Sequence, residues 1–185
     1  MKKYLITSRE FYTDTPAVFR DILYQQLIKY RPDFVLYRDK NNPNYSLQAS
    51  YFTEVCSQFN NIKSFIHRDI SLAKELNATG VHLTSTQFTE IEYALSLDLE
   101  VIISTHNYNE VLNAQKLGAT YVTYSPIFIS PHKGKPKGIK NLKELLLKTD
   151  IKIFALGGIM NEENLQDISK TDVFGFASIR YFYSK

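Results

Sequence analysis

Eight short apolar runs punctuate the chain, and each stops at polar or small residues before a helix-like stretch begins. Tyr4-Leu5-Ile6 ends at Thr7-Ser8-Arg9, Phe34-Val35-Leu36-Tyr37 at Arg38-Asp39-Lys40, and Ser64-Phe65-Ile66 at His67-Arg68. Val81-His82-Leu83 ends at Thr84-Ser85, Val101-Ile102-Ile103 at Ser104-Thr105-His106, and Tyr121-Val122-Thr123-Tyr124 at Ser125-Pro126. Ile153-Phe154-Ala155-Leu156 ends at Gly157-Gly158, and Val173-Phe174-Gly175-Phe176 at Ala177-Ser178. Continuous apolar runs alternating with helices describe parallel strands covered on both faces. Eight such units predict an α/β fold, a single-domain compact (β/α)8 TIM barrel over residues 1–185, with its site at the carboxyl ends of the strands.

Helical spacing of apolar residues predicts helices over 16–30, 45–59, 69–77, 89–98, 108–117, 140–148 and 161–168. In the first, Pro16 follows Thr15 as a cap and first-turn pair, and Val18, Phe19, Ile22, Leu23 and Leu27 form the apolar stripe. Asn107 or Asn109 suits the start of 108–117, and Gly118 its stop. One connection is long and irregular: 128–138 holds two Pro, two Gly and three Lys and cannot be helical. Loops of that kind in compact domains usually carry function, and its position after strand six suits a ligand cover.

The chain has 185 residues, short for a barrel whose usual length is ~250, so little decoration is expected. Its 22 Lys and Arg are interspersed with 19 Asp and Glu for a net charge of +3, which argues against a nucleic-acid surface but suits a small phosphorylated ligand. The lone Cys56 falls in a predicted helix as a small hydrophobe, which excludes a disulfide framework and fits a reducing compartment. No run approaches the ~20 apolar residues of a membrane span, and the stretch before Thr7 is too short for a signal peptide. A soluble cytoplasmic protein is expected, with no membrane partner; a homodimer is left open.

Candidate chemistry gathers at the strand ends. Gly157, Gly158, Ala177 and Ser178 lie where barrels of this kind often bind phosphate through backbone N–H groups, though Gly-Gly is equally compatible with a plain turn. Arg180 adds charge beside them. Arg38 and Lys40 lie two apart, so both project to one face, either toward a shared anion or as solvated rim charges. His67, His106 and His132 are the acid–base candidates, while His82 sits within a strand and is expected to pack in the barrel. Their spacing is not that of a zinc site. Magnesium–pyrophosphate binding needs hard carboxylate oxygens, and Glu10, Asp39 and Asp69 form no facing pair, so no metal is expected.

At these residues the chain resembles the thiamine phosphate synthase and thiazole tautomerase (TenI) superfamily over essentially its whole length. The similarity rests on Tyr4-Leu5-Ile6-Thr7, Val35 to Lys40, Gly80-Val81-His82-Leu83, Ile103 to Asn107, Gly118 to Val122, Ser125-Pro126-Ile127-Phe128 and Ala155 to Ile159. The resemblance implies that Arg38 and Lys40 bind a pyrimidine pyrophosphate, although the glutamine expected at Leu36 is absent. It implies magnesium-holding aspartates where Arg68 and Gln87 stand. Ser104 keeps its family identity, Ser130 and Lys133 keep the hydroxyl and lysine of a thiazole-phosphate loop, and Gly158, Ala177 and Ser178 match the remaining thiazole-phosphate positions. The tautomerase histidine is replaced by Pro126, with His132 nearest to it.

Better retention of the thiazole half than of the pyrimidine half favours a thiazole tautomerase acting on thiazole phosphate carboxylate without a cofactor. There His132 is the expected proton shuttle, with His106 or His67 as alternatives and Lys133 beside it; Arg38, Lys40 or Arg68 faces the ring carboxylate. The alternatives are thiamine phosphate synthase, using Mg2+ or substituting Arg68 for it, and a non-catalytic binder of a phosphorylated thiazole or pyrimidine.

Overall fold

The computed structural model describes residues 1–131 and 133–183. Eight parallel strands close into a barrel in sequence order: β1 (Lys2–Ile6), β2 (Phe34–Tyr37), β3 (Lys63–His67), β4 (Gly80–Leu83), β5 (Glu100–Thr105), β6 (Tyr121–Tyr124), β7 (Lys152–Leu156) and β8 (Gly175–Ser178). Closure is made by β1 on β8, with Lys2 opposite Gly175 and Leu5 opposite Ser178. The helices are α1 (Arg9–Tyr12), α2 (Pro16–Tyr30), α3 (Tyr45–Cys56), α4 (Ile70–Glu75), α5 (Ile91–Ser96), α6 (Tyr108–Lys116), α7 (Gly138–Leu146) and α8 (Glu162–Ser169).

The predicted elements are present, with differences at their ends. The short α1 has no apolar period to announce it, and α7 starts at Gly138, two residues before the predicted start. After β8 the chain makes only a 3-10 turn, Arg180–Phe182. Phe19, Leu23 and Leu27 of α2 are buried as the stripe requires, but Val18 faces solvent. Asn107 caps α6, accepting a 2.9 Å bond from the Glu110 N–H, and Gly118 follows with φ +82°. Cys56 is buried. Among the described residues no helix is long and apolar enough to cross a membrane.

Period-two alternation divides each strand between two cores. Outward residues such as Leu5, Val35, Ile66, Val81 and Ile103 pack under the helices, whereas Tyr4, Phe34, Phe65, Tyr121 and Phe154 fill the barrel interior. Barrel interiors are usually filled by branched aliphatic residues; here rings do it, and glycines make room for them. A Cβ at Gly80 would lie 2.7 Å from Phe65 Cε1, and one at Gly175 would lie 2.6 Å from Phe154 Cε1. Phe154 meets the rings of Tyr4 at 5.1 Å, Phe34 at 4.9 Å and Phe174 at 5.3 Å between centroids. Phe154→Ala should therefore cost about 3–5 kcal/mol, read as a shift in the urea midpoint; a cost below 1 kcal/mol would show that the plug is not tightly packed.

Candidate active site

Each strand carries its inward alternation one or two steps past the core. Leu36 is followed by Arg38 and Lys40, Phe65 by His67, Ile102 by Ser104 and His106, and Phe154 by Leu156 and Gly158. These residues line one cavity of about 320 Å³ at the carboxyl ends, together with Ser130, Lys133, Gly157, Ser178 and Arg180. A hollow at the opposite end, bounded by Lys143, Asp150, Lys152 and Asp172, mixes both charges and lies away from the strands' carboxyl ends.

One wall is cationic. Arg38 is half-buried, its backbone N–H held by Thr7 Oγ1 at 2.9 Å. Burial draws its guanidinium below the usual value. Lys40 is drawn down by the Arg38 charge first, then by burial, Lys133 and Arg68, so four cations share one field. Like charges held this close await an anion. Arg68 does not form part of the cavity wall itself; it follows His67 by one residue and turns through φ +69°.

The facing wall is backbone. Gly157 and Gly158 have φ +99° and +71°, and among the described residues no internal acceptor takes either N–H. Two free N–H groups in a left-handed turn suit an anion. Ser178 lies on this wall, but its hydroxyl is committed, donating to Ile159 O at 2.8 Å and accepting from Tyr181 N at 3.2 Å. Ala177, expected beside it, is not among the residues of the cavity wall. β8 begins at Gly175, two residues later than the apolar run, and the Ala177 methyl lies in the barrel interior, wholly buried in the cluster that holds Tyr4.

Three histidines are described, and they differ. His106 Nδ1 lies 3.2 Å from both Ser125 O and Ser125 Oγ. Donation to the carbonyl leaves the Nε2 lone pair for the cavity, the arrangement of a general base. His67 has its pKa pushed down to about 3 by burial and by Arg38, Lys40 and Arg68, so it is neutral and a poor proton carrier near pH 7. His82, expected merely to pack, is at the cavity wall as well as in the barrel, with burial holding it far below its usual value. His132, the first-choice shuttle, lies outside the described residues.

The two depressed imidazoles make a pH prediction. Their folded values lie below the unfolded ~6.5, so below that pH the unfolded chain takes up protons that the folded one refuses. Stability should be full above pH 6.5 and fall as pH drops toward 3, with a slope approaching ~2.7 kcal/mol per unit from two protons at ~1.36 kcal/mol each. Urea unfolding between pH 7 and 5.5 measures it, and His67→Gln should roughly halve the slope. An unchanged slope in that variant would contradict the assignment.

Magnesium does not fit these residues. The cavity wall carries no carboxylate, and among the described residues no cluster of three His, Cys, Asp or Glu side chains could hold a metal. Gln87 is saturated: its amide donates to Arg68 O and Glu90 Oε2, and its oxygen accepts from the N–H and hydroxyl of Thr84. Asp69 caps α4 through Leu72 N at 2.9 Å.

The molecule is thus an α/β protein, a (β/α)8 barrel whose cavity at the strands' carboxyl ends sets a cationic wall against a glycine turn. Residues 4–182 match the family model described as thiamine monophosphate synthase, and the chain belongs to that family. It is 32% identical over 186 residues to a thiamine-phosphate synthase of Clostridium novyi (strain NT), covering 96% of this chain and 88% of that one. Against a thiamine-phosphate synthase of Lactococcus lactis subsp. cremoris (strain MG1363) it is 31% identical over 123 residues, 64% of this chain and 56% of the relative. The solved thiamine phosphate pyrophosphorylase from Pyrococcus furiosus superposes with a TM-score of 0.80 at 24% identity, over 96% of this chain and 85% of that one, a likeness of fold.

Proposed function

We propose that this chain is a thiamine phosphate synthase, joining a hydroxymethylpyrimidine diphosphate to a thiazole phosphate. The observation that carries the reading is the pair of anion-accepting walls in one cavity, cationic on the β2 side and backbone N–H on the β7 side. Two phosphorylated substrates need two such walls; in the tautomerase reading the cationic one would face a ring carboxylate, which needs less charge than four cations supply. The names of the relatives point the same way and reverse the ranking drawn from the sequence.

In this reading Arg38, Lys40 and Lys133 take the diphosphate, Arg68 adds its charge to their field from outside the wall, and Gly157, Gly158 and Ser130 take the thiazole phosphate. The thiazole nitrogen forms the new bond to the pyrimidine methylene carbon while the C–O bond to diphosphate breaks and its electron pair leaves with pyrophosphate. Charge accumulates on the departing oxygens, and preorganised cations in a half-buried site are the groups that lower that barrier. No step runs through a metal.

A second reading keeps one observation of its own. His106 lines the cavity, and with Nδ1 donating to Ser125 O its ring would keep an Nε2 lone pair for the proton transfer of a tautomerase. Assay of both phosphorylated precursors together, with EDTA and with Mg2+, separates the two. The expected result is thiamine phosphate and pyrophosphate in equal amounts, retained in EDTA. Isomerisation of thiazole phosphate carboxylate with no coupling would overturn it.

A further inference from the structure

Tyr4, His82 and Ser104 form a single file of hydrogen bonds from the barrel interior to the cavity. Tyr4 Oη lies 2.8 Å from His82 Nδ1, and His82 Nε2 lies 3.1 Å from Ser104 Oγ. Tyr4 is wholly buried among Phe34, Phe65 and Phe154, with the His82 ring stacked at 5.8 Å. Among the described residues its hydroxyl has no other hydrogen-bond partner.

That isolation sets the direction of the whole file. A phenol in such surroundings keeps its proton, and the only acceptor in reach is the Nδ1 lone pair. If Nδ1 carried hydrogen instead, two hydrogens would face each other and the Tyr4 O–H would be buried without an acceptor, an arrangement that interiors penalise heavily. A doubly protonated ring fails the same way and places a charge that burial disfavours first, then His67 and Arg38. So Nδ1 accepts, and Nε2–H donates to Ser104 Oγ. A serine alone can turn its hydroxyl either way; with Nε2–H on one of its lone pairs, this one cannot aim its O–H at the imidazole and has it free to donate into the cavity.

We infer that Tyr4 is a positioning residue that acts through His82 to present Ser104 as a hydrogen-bond donor, so the substrate atom beside β5 is an acceptor, an unprotonated ring nitrogen or an anionic oxygen. A substrate acceptor there gains the O–H that the file holds ready. The substrate identity rests on the synthase reading; the polarity of the file does not.

Two measurements test it separately. Nitrogen-15 NMR of histidine-labelled protein should show His82 as the Nε2–H tautomer, unchanged from pH 7.5 to 5.5. An Nδ1–H or doubly protonated His82 overturns the proposal whether or not the enzyme turns over. Calorimetry with each phosphorylated precursor then reads the effect at Ser104. Tyr4→Phe, which keeps the packing, should weaken one precursor about 10-fold, as expected for one positioned hydrogen bond. In a Ser104→Ala background the same change should have no further effect. Equal losses in both backgrounds, or no loss in Ser104→Ala alone, would show that Tyr4 merely packs. A correct tautomer with no turnover would retire the synthase reading and leave the file standing.

Discussion

Arg38→Met is expected to lower kcat/KM for the diphosphate substrate by about 10²–10⁴-fold, with little change in KM for the thiazole phosphate. The range comes from two charge-assisted hydrogen bonds worth ~1.5–3 kcal/mol each, at about 1.4 kcal/mol per tenfold. Methionine keeps the apolar stem in its half-buried channel, so stability should hold. Arg38→Lys keeps the charge but loses the planar fork, and should fall between the two. A second signature follows from electrostatics. Arg38 heads the list of charges that hold Lys40 down, and after burial it is the first cause acting on His67. Removing it should let both pKa values rise, which NMR titration of His67 would register. A loss under 5-fold, with His67 unmoved, would place the diphosphate elsewhere.

Gly158→Ala should damage the opposite wall as severely, and for a different reason. The residue sits at φ +71°, where a side chain costs about 1–2 kcal/mol. Its Cβ would also lie 2.5 Å from Ile129 O and 2.8 Å from Phe128 C, both backbone atoms that cannot swing aside. Relieving that contact must shift the loop carrying Ser130 and Lys133, adding about 1–3 kcal/mol of overpacking strain. The expected outcome is a lower urea midpoint together with loss of inorganic phosphate binding in calorimetry. Gly138→Ala is the matched control: its φ is +75°, yet nothing lies within 4 Å of the new Cβ. It should show the backbone penalty alone, with phosphate binding intact. Equal binding losses in the two variants would mean that the glycine turn does not hold phosphate.

Much of this site follows from one rule applied strand by strand. Arg38 and Lys40 continue the inward alternation of Phe34 and Leu36, and Ser104 and His106 continue that of Ile102, so their common cavity is legible in the sequence. The same rule brings in Ser125 after Thr123, where the sixth apolar run stops. His82 obeys it too, but a histidine inside a strand gives no sign of whether its neighbours on the axis are polar. Only the closed barrel brings Tyr4 across to it. β8 was displaced because hydropathy cannot separate a strand from its lead-in: Phe174 O accepts from Lys2 N while its ring packs on Tyr121 and Phe154. Arg68 breaks the alternation through its left-handed backbone, which a sequence does not announce for an arginine.

The ring-filled interior beneath the cavity turns it into a blind well. On the synthase reading, substrates, product and pyrophosphate would all pass the same rim, so whatever rests deepest would be the first to arrive and the last to depart. Traffic through the enzyme is therefore ordered, and product inhibition by pyrophosphate should be competitive toward one precursor only.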